Sequence, residues 1–152
     1  MPDGFVERNA KLLSTSVVLV LIVAAAGLVL THSLLGGGPL SIGLQVVAAL
    51  LMIWARLTFG LRSFHYAANP TAGGLVTWGP YRYLRHPIYA SLLLFFWAGV
   101  AANPSWLGAA LGALATAMLF LRMIFEETLL RRAYPEYDDY ARHTKRVVPF
   151  LL

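Results

Sequence analysis

The residues able to do chemistry gather in two stretches of the chain. The first is Gly79-Pro80-Tyr81-Arg82-Tyr83-Leu84-Arg85-His86-Pro87-Ile88-Tyr89, and the second opens with Arg122-Met123-Ile124-Phe125-Glu126-Glu127 and continues to Pro149. Arg122 and Glu126 are four apart and share one helical face, while Glu127 is rotated from Glu126 by about 100°. Two carboxylates at the end of an apolar helix are costly unless they have partners. The pattern suits a ligand of both signs, with a cationic group held by Glu126 and an anionic group by Arg122. A plainer reading has Arg122 snorkelling and both glutamates in water. Pro87 equally suits the first turn of a helix, where its missing N–H costs nothing, and Tyr81, Tyr83 and Tyr89 suit an interfacial aromatic belt. The conjunction favours a site, because groups distant in sequence converge at one end of a helical pair. No metal centre is expected: His65, His86 and His143 are scattered, no His-x-x-x-His pair exists and cysteine is absent.

The elements that must position these groups are set by composition. In 152 residues, 59% are apolar and 12% charged, with a mean hydropathy of +0.67. A soluble domain carries about 25% charged residues, so a soluble enzyme, a disordered chain and a fibrous rod are poor fits. An integral membrane protein remains. Four apolar segments stand out, at about Ser14 to Leu35, Leu40 to Phe59, Ile88 to Ala102 and Trp106 to Phe125. A spanning helix needs about 20 residues. The third segment is short, so it starts inside the Arg85-His86-Pro87 turn or lies partly shielded by protein. The first exceeds a signal-peptide core and reads as a retained helix.

Gly36-Gly37-Gly38-Pro39 and Asn103-Pro104-Ser105 are the breaks. Such short connections imply two antiparallel helical hairpins, with Asn103 or Ser105 as an N-cap. The triple glycine lacks the Lys-Ser/Thr of a phosphate loop, and proline in Asn69-Pro70-Thr71 and Asn103-Pro104-Ser105 excludes glycosylation. Gly108 and Gly112 are small residues at close-packing spacing, read as internal packing rather than a dimer face. All twelve Lys and Arg flank or end the segments on one side, and the two tips carry none. Four spans then put both termini and the central loop in the cytoplasm. The net charge of +5 is thereby topology, not a nucleic-acid footprint. From about Glu127 to His143, Leu129, Leu130, Tyr134, Tyr137 and Tyr140 recur among charges, which reads as an amphipathic interfacial helix. The expected architecture is all-α and polytopic: a single domain over residues 1–152, four membrane helices in two hairpins, and that C-terminal helix.

Gly79 to Tyr89, then Arg122-x-x-x-Glu126-Glu127, Tyr134-Pro135-Glu136-Tyr137-Asp138-Asp139-Tyr140 and Thr144-Lys145-Arg146-Val147-Val148-Pro149 resemble the isoprenylcysteine carboxyl methyltransferase and phospholipid methyltransferase superfamily. The resemblance covers residues 75–149. It implies an integral membrane enzyme that uses S-adenosylmethionine at the cytosolic face. It further implies that Gly74, Leu75 and Val76 line an adenosine pocket and that Tyr81, His86, Pro87, Ile88 and Tyr89 contact the cofactor. Glu126, with Glu127 beside it, binds the methionine portion on this resemblance, Arg122 faces the acceptor, and Arg85 and Arg146 match arginines linked to activity or acceptor anchoring. Ser91 departs from the pattern, standing where many members have glycine. The acceptor is expected to be lipophilic, a carboxylate or a lipid headgroup, in a bacterial inner membrane. Two other readings stand beside this one. A sterol-type reductase would bind NADPH, and a non-catalytic scaffold would tolerate alanine at His86, Arg122 and Glu126.

Overall fold

Among the described residues, local stop signals lay out five helices: α1 (Asp3–Leu30), α2 (Pro39–Phe59), α3 (Pro87–Ala102), α4 (Trp106–Ala133) and α5 (Tyr137–His143), with a 3₁₀ turn at Gly79–Arg82. The computed structural model describes residues 3–60 and 74–148, with side chains from residue 16 onward. Arg62, His65, the Asn69-Pro70-Thr71 triplet and Pro149 lie outside the described residues. No strand occurs among the described residues, although one parallel bridge joins Leu84 to Lys145.

Each helix end has a chemical cause. α1 stops at Leu30, short of the expected Leu35, because His32 takes a left-handed φ of 54°. The His32 amide then bonds Val29 O at 3.0 Å and the Ser33 amide bonds Leu28 O at 2.9 Å, a Schellman closure. Pro39 and Pro87 occupy the first turns of α2 and α3, where proline is tolerated. Of the two cap candidates before α4, Ser105 does the capping: its hydroxyl accepts from the Gly108 amide at 2.9 Å.

Two expectations need correction. The amphipathic helix over about 127–143 is not continuous: α4 runs on to Ala133, Tyr134 is extended, and a separate seven-residue α5 follows. Pro135 forces this break, since the residue before a proline is pushed out of the helical region. The principal packing pairs are α2 with α3 and α1 with α4, not the sequence-adjacent α1 with α2, while α3 and α4 share a smaller contact. The connectors explain this pairing. Gln45 of α2 donates to Leu34 O at 2.7 Å and Phe95 O at 3.3 Å, and Asn103 donates to Leu35 O at 2.8 Å. The two tips thereby interlock, and α2 is drawn onto α3.

Close approach at this end depends on small residues. A Cβ on Gly99 would sit 2.2 Å from Leu34 O, and one on Gly108 would sit 2.7 Å from Ser33 Oγ. Gly108 and Gly112 are both buried within the bundle, in keeping with internal packing. Ala24, Leu28, Phe96, Val100 and Ala115 form the core between α1, α3 and α4. A second cluster of Leu84, Ala90, Leu119, Met123 and Val147 lies under the motif residues. α2 and α4 are long and apolar enough to cross a membrane, whereas α3, at 16 residues, is a shorter apolar helix. Four membrane crossings are therefore not established by helix length, and exposed Leu40, Leu50 and Leu57 give α2 an apolar outer face.

Candidate functional site

The site is assembled from the loop before α3, the first turn of α3, the last third of α4 and the segment after α5. Tyr83 to His86 run alongside Lys145 and Arg146. The Arg85 amide donates to Lys145 O at 2.7 Å, the His86 amide to Arg146 O at 3.0 Å, and the Lys145 amide to Tyr83 O at 3.0 Å. This short ladder fastens the C-terminal segment to the His-Pro motif. Tyr140 adds a second tie, its hydroxyl donating to Tyr81 O at 2.7 Å.

One polar cluster centres on Glu126. The Tyr89 hydroxyl donates to Glu126 Oε1 at 2.5 Å, and Arg122 Nε donates to the Tyr89 oxygen at 2.6 Å and to Glu126 Oε1 at 3.1 Å. The His86 ring stacks on Tyr89 with centroids 5.5 Å apart, and its Nδ1 faces Glu126 Oε2 at 3.7 Å. The Arg122 side chain is only 8% exposed and that of Glu126 20%, so this group has one partly open carboxylate.

A second cluster centres on Glu127, which is 1% exposed. Its Oε1 accepts from Arg85 Nε at 3.2 Å and Arg146 Nε at 3.1 Å, and lies 3.3 Å from His86 Nε2. Its Oε2 accepts from Arg146 Nη2 at 3.1 Å and, more weakly, from Arg131 Nη2 at 3.5 Å. The Arg146 contact is a bidentate fork, the strong form of a charge-assisted pair, and these bonds raise the Arg146 guanidinium above its ordinary range. Arg85 spends Nη1 on the carbonyls of Ala141, at 2.8 Å, and Thr144. The two neighbouring glutamates thus point into different surroundings, as their rotation on the helix requires. His86 sits between them.

The remaining motif residues form an apolar wall. Val76, Tyr81 and Ala55 are buried together, with Phe59 and Ile88 packed against them. Leu75 is half-buried, Gly74 is exposed and takes a φ of 80°, and Pro87 is fully buried in the first turn of α3. Burial, with Glu126 adding to it, pushes the Tyr81 phenol above the ordinary range. Burial does the same for Tyr137 and Tyr140, so all three remain neutral at physiological pH.

The structure brings Tyr81, His86, Tyr89, Arg122 and Glu126 together, and gathers Arg85, Arg146 and Glu127 beside them. Sequence reasoning missed Arg131, Tyr140 and Thr144 as supports. Arg131 was discoverable from its spacing of four to Glu127. The other two depend on a chain reversal at Pro135 that periodicity does not reveal. Among the described residues no cluster of His, Cys, Asp and Glu could hold a metal ion.

A membrane-associated protein, all-helical among the described residues, with a charged site at the end of a helix long and apolar enough to span a bilayer is the class that fold and geometry define. The model of the family described as phospholipid methyltransferase matches residues 36–137. The chain belongs to this family, within the isoprenylcysteine and phospholipid methyltransferase superfamily. It is 39% identical over 87 residues to the nickel-cobalt-cadmium resistance protein NccN of Alcaligenes xylosoxydans xylosoxydans, covering 57% of this chain and 41% of that one. It is 34% identical over 130 residues to the cobalt-zinc-cadmium resistance protein CzcN of Cupriavidus metallidurans, covering 83% of this chain and 58% of that one. The chain thus spans about half the length of these curated relatives. No solved structure matches it with significance.

Proposed function

We propose that this chain is an S-adenosylmethionine-dependent methyltransferase acting on a lipophilic acceptor at the cytosolic membrane face, as one membrane-embedded domain of four spans with both termini inside. The supporting observation is the cluster of Tyr89, Arg122, Glu126 and His86 at the end of α4, in a chain of this family. The donor set fits the cofactor. Glu126 offers a carboxylate to its ammonium, and the aromatic faces of Tyr81 and Tyr89 suit its sulfonium. Val76 and Ile88, with Leu75 and Gly74 before them, offer an apolar wall for the adenosine. The bound cofactor supplies an electrophilic methyl group. The chain's own contribution is alignment and exclusion of water, which carries much of the rate in an in-line displacement.

Glu127 takes a different role from Glu126 on this reading. Already engaged by Arg85, Arg146 and His86, it holds the motif loop and the C-terminal segment in register, and Arg85 and Arg146 act with it. The two relatives are named for resistance to nickel, cobalt, zinc and cadmium, which supports a setting in metal tolerance for the methylation on this reading. Deleting the gene should then lower tolerance to these metals in growth assays, and unchanged tolerance would remove that setting without touching the chemistry.

The primary test is calorimetric titration of the detergent-purified chain with S-adenosylmethionine, with Glu126→Ala and NADPH as controls. Micromolar binding that weakens at least about tenfold in the variant, the scale of a lost charge-assisted contact, is expected. No binding by folded protein refutes the reading, and NADPH binding in its place favours a reductase.

A further inference from the structure

The last turn of α2 supplies a wall of the site that lies outside both motif stretches. Ile53, Trp54 and Leu57 face outward from the bundle, whereas Ala55 is fully buried and Arg56 and Phe59 are half-buried. Phe59 meets the Tyr81 ring with centroids 5.5 Å apart. A Cβ on Gly79 would lie 2.6 Å from Thr58 Oγ1, so the 3₁₀ turn is seated directly on this end of α2. Burial raises the Tyr81 phenol, Glu126 raises it further and Arg56 lowers it, so a carboxylate on α4 and a guanidinium on α2 both act on this one hydroxyl. We propose, resting on the methyltransferase reading above, that Arg56 is a cofactor-binding residue: it holds the methionine carboxylate of S-adenosylmethionine while Glu126 holds the ammonium, clamping the amino-acid end between α2 and α4 beside Tyr81.

The assignment follows from the shape of the ligand and the placement of the cations. The amino-acid end carries an ammonium and a carboxylate on one carbon, so an acid and a base must approach it from different directions. Glu126 and Arg122 touch each other at 3.1 Å from one face of the same helix, which leaves no room for a zwitterion between them. Arg85 and Arg146 are committed to Glu127, and Arg131 and Arg142 to Asp138 and Asp139. Arg82, Arg132 and Lys145 are exposed. Arg56 is the half-buried cation, among the described residues, that acts on Tyr81 from a different element than Glu126.

A cation in the last turn of a helix also complements the helix dipole, but a side chain turned fully to solvent would do that equally. Withdrawing part of a guanidinium from water costs desolvation, and a ligand carboxylate offsets that cost through a bidentate, charge-assisted pair. Arg56 takes no part in bond making. With the ammonium, the carboxylate and the adenosine each anchored, the direction of the C–S bond is fixed, and an in-line displacement depends on that alignment.

The test uses two ligands that differ in the carboxylate alone: S-adenosylmethionine and its decarboxylated form, which keeps the sulfonium, the ammonium and the adenosine. Calorimetry on the detergent-purified full chain should show the decarboxylated ligand bound at least about fivefold more weakly, the scale of a charge-assisted contact partly open to solvent. Arg56→Gln should weaken S-adenosylmethionine by a similar factor and bind the two ligands within about twofold of each other. Arg56→Lys, which keeps the charge without the fork, should retain part of the preference. Equal binding of the two ligands by the unmodified chain overturns the assignment, and this arm holds even where the glutamine variant fails to fold. A preference that survives in Arg56→Gln and disappears in folded Arg122→Met also overturns it, and moves the carboxylate to α4. Losses of equal size for both ligands in Arg56→Gln would make Arg56 a packing residue of the wall and overturn it likewise. Should the folded, unmodified chain bind neither ligand, the methyltransferase reading itself falls, an outcome distinct from equal binding of both.

Discussion

Glu126 and Glu127 are chemically identical neighbours whose environments assign them different work. Glu126 is 20% exposed beside Tyr89 and Arg122, whereas Glu127 is 1% exposed beneath three arginines and a histidine. Removing one partner of a buried ion pair leaves uncompensated charge and costs about 3–5 kcal/mol. The Arg146 side chain is 41% exposed, which reduces the loss through solvent screening. Glu127→Gln should therefore cost about 2–3 kcal/mol, while Glu126→Gln, which strands one arginine beside a partly open position rather than several cations around a buried one, should cost less and act on cofactor affinity. Thermal unfolding of both variants in detergent checks this division, and equal loss of stability would abolish it. The identities of these residues were readable in the sequence because charge is so rare in an apolar chain. Their partners were not, because the groups around Glu127 come from the α3 entry, α4 and the segment after α5, and only tertiary structure joins those.

Helix boundaries follow local chemistry and were largely visible in advance: α2 and α3 begin at prolines, and α4 begins behind a serine cap. What sequence patterns hid was the lateral pairing. Short connectors imply that neighbours in sequence are neighbours in space, yet α2 packs along α3 and α1 along α4. The cause lies in two side chains, since Gln45 of α2 donates to Phe95 O of α3 and Asn103 donates to Leu35 O of the α1–α2 connector. Gly99 is the contact point, where an added Cβ would lie 2.2 Å from Leu34 O, while one on Gly43 would meet nothing within 4 Å. A backbone carbonyl cannot step aside as a flexible side chain can. Gly99→Ala should thus destabilise by about 1–3 kcal/mol through overpacking. Gly43→Ala, on an open helical face, should be neutral or slightly stabilising. Paired thermal melts of the two alanine variants test the interlocked tips, and matching melts would show that α3 does not bear on the α1–α2 connector as described.

At the scale of the whole molecule the open matter is how many times the chain crosses the bilayer. Charge placement argues for four crossings, since every Lys and Arg flanks one side and the tips carry none. Length argues for fewer, because α3 has only 16 residues, short of a span, whereas α2 and α4 are long and apolar enough to cross. The two arguments make opposite predictions for Gly37 and Arg142. With four crossings Gly37 lies outside and Arg142 inside; if α2 and α4 cross and α3 does not, both lie on the same side. The chain contains no cysteine, so a single introduced thiol reports its own location. An added Cβ at Gly37 meets nothing within 4 Å, and the Arg142 side chain is exposed, so Gly37→Cys and Arg142→Cys should leave the fold intact. A membrane-impermeant maleimide applied to intact cells should label the first and reach the second only after lysis. Labelling of both from one side would show that α3 does not cross. Either count leaves the α4 end and the α3 entry on one face, because the ion pairs of Glu127 hold Arg85, Arg146 and α4 together, and that shared face is what the site requires of the fold.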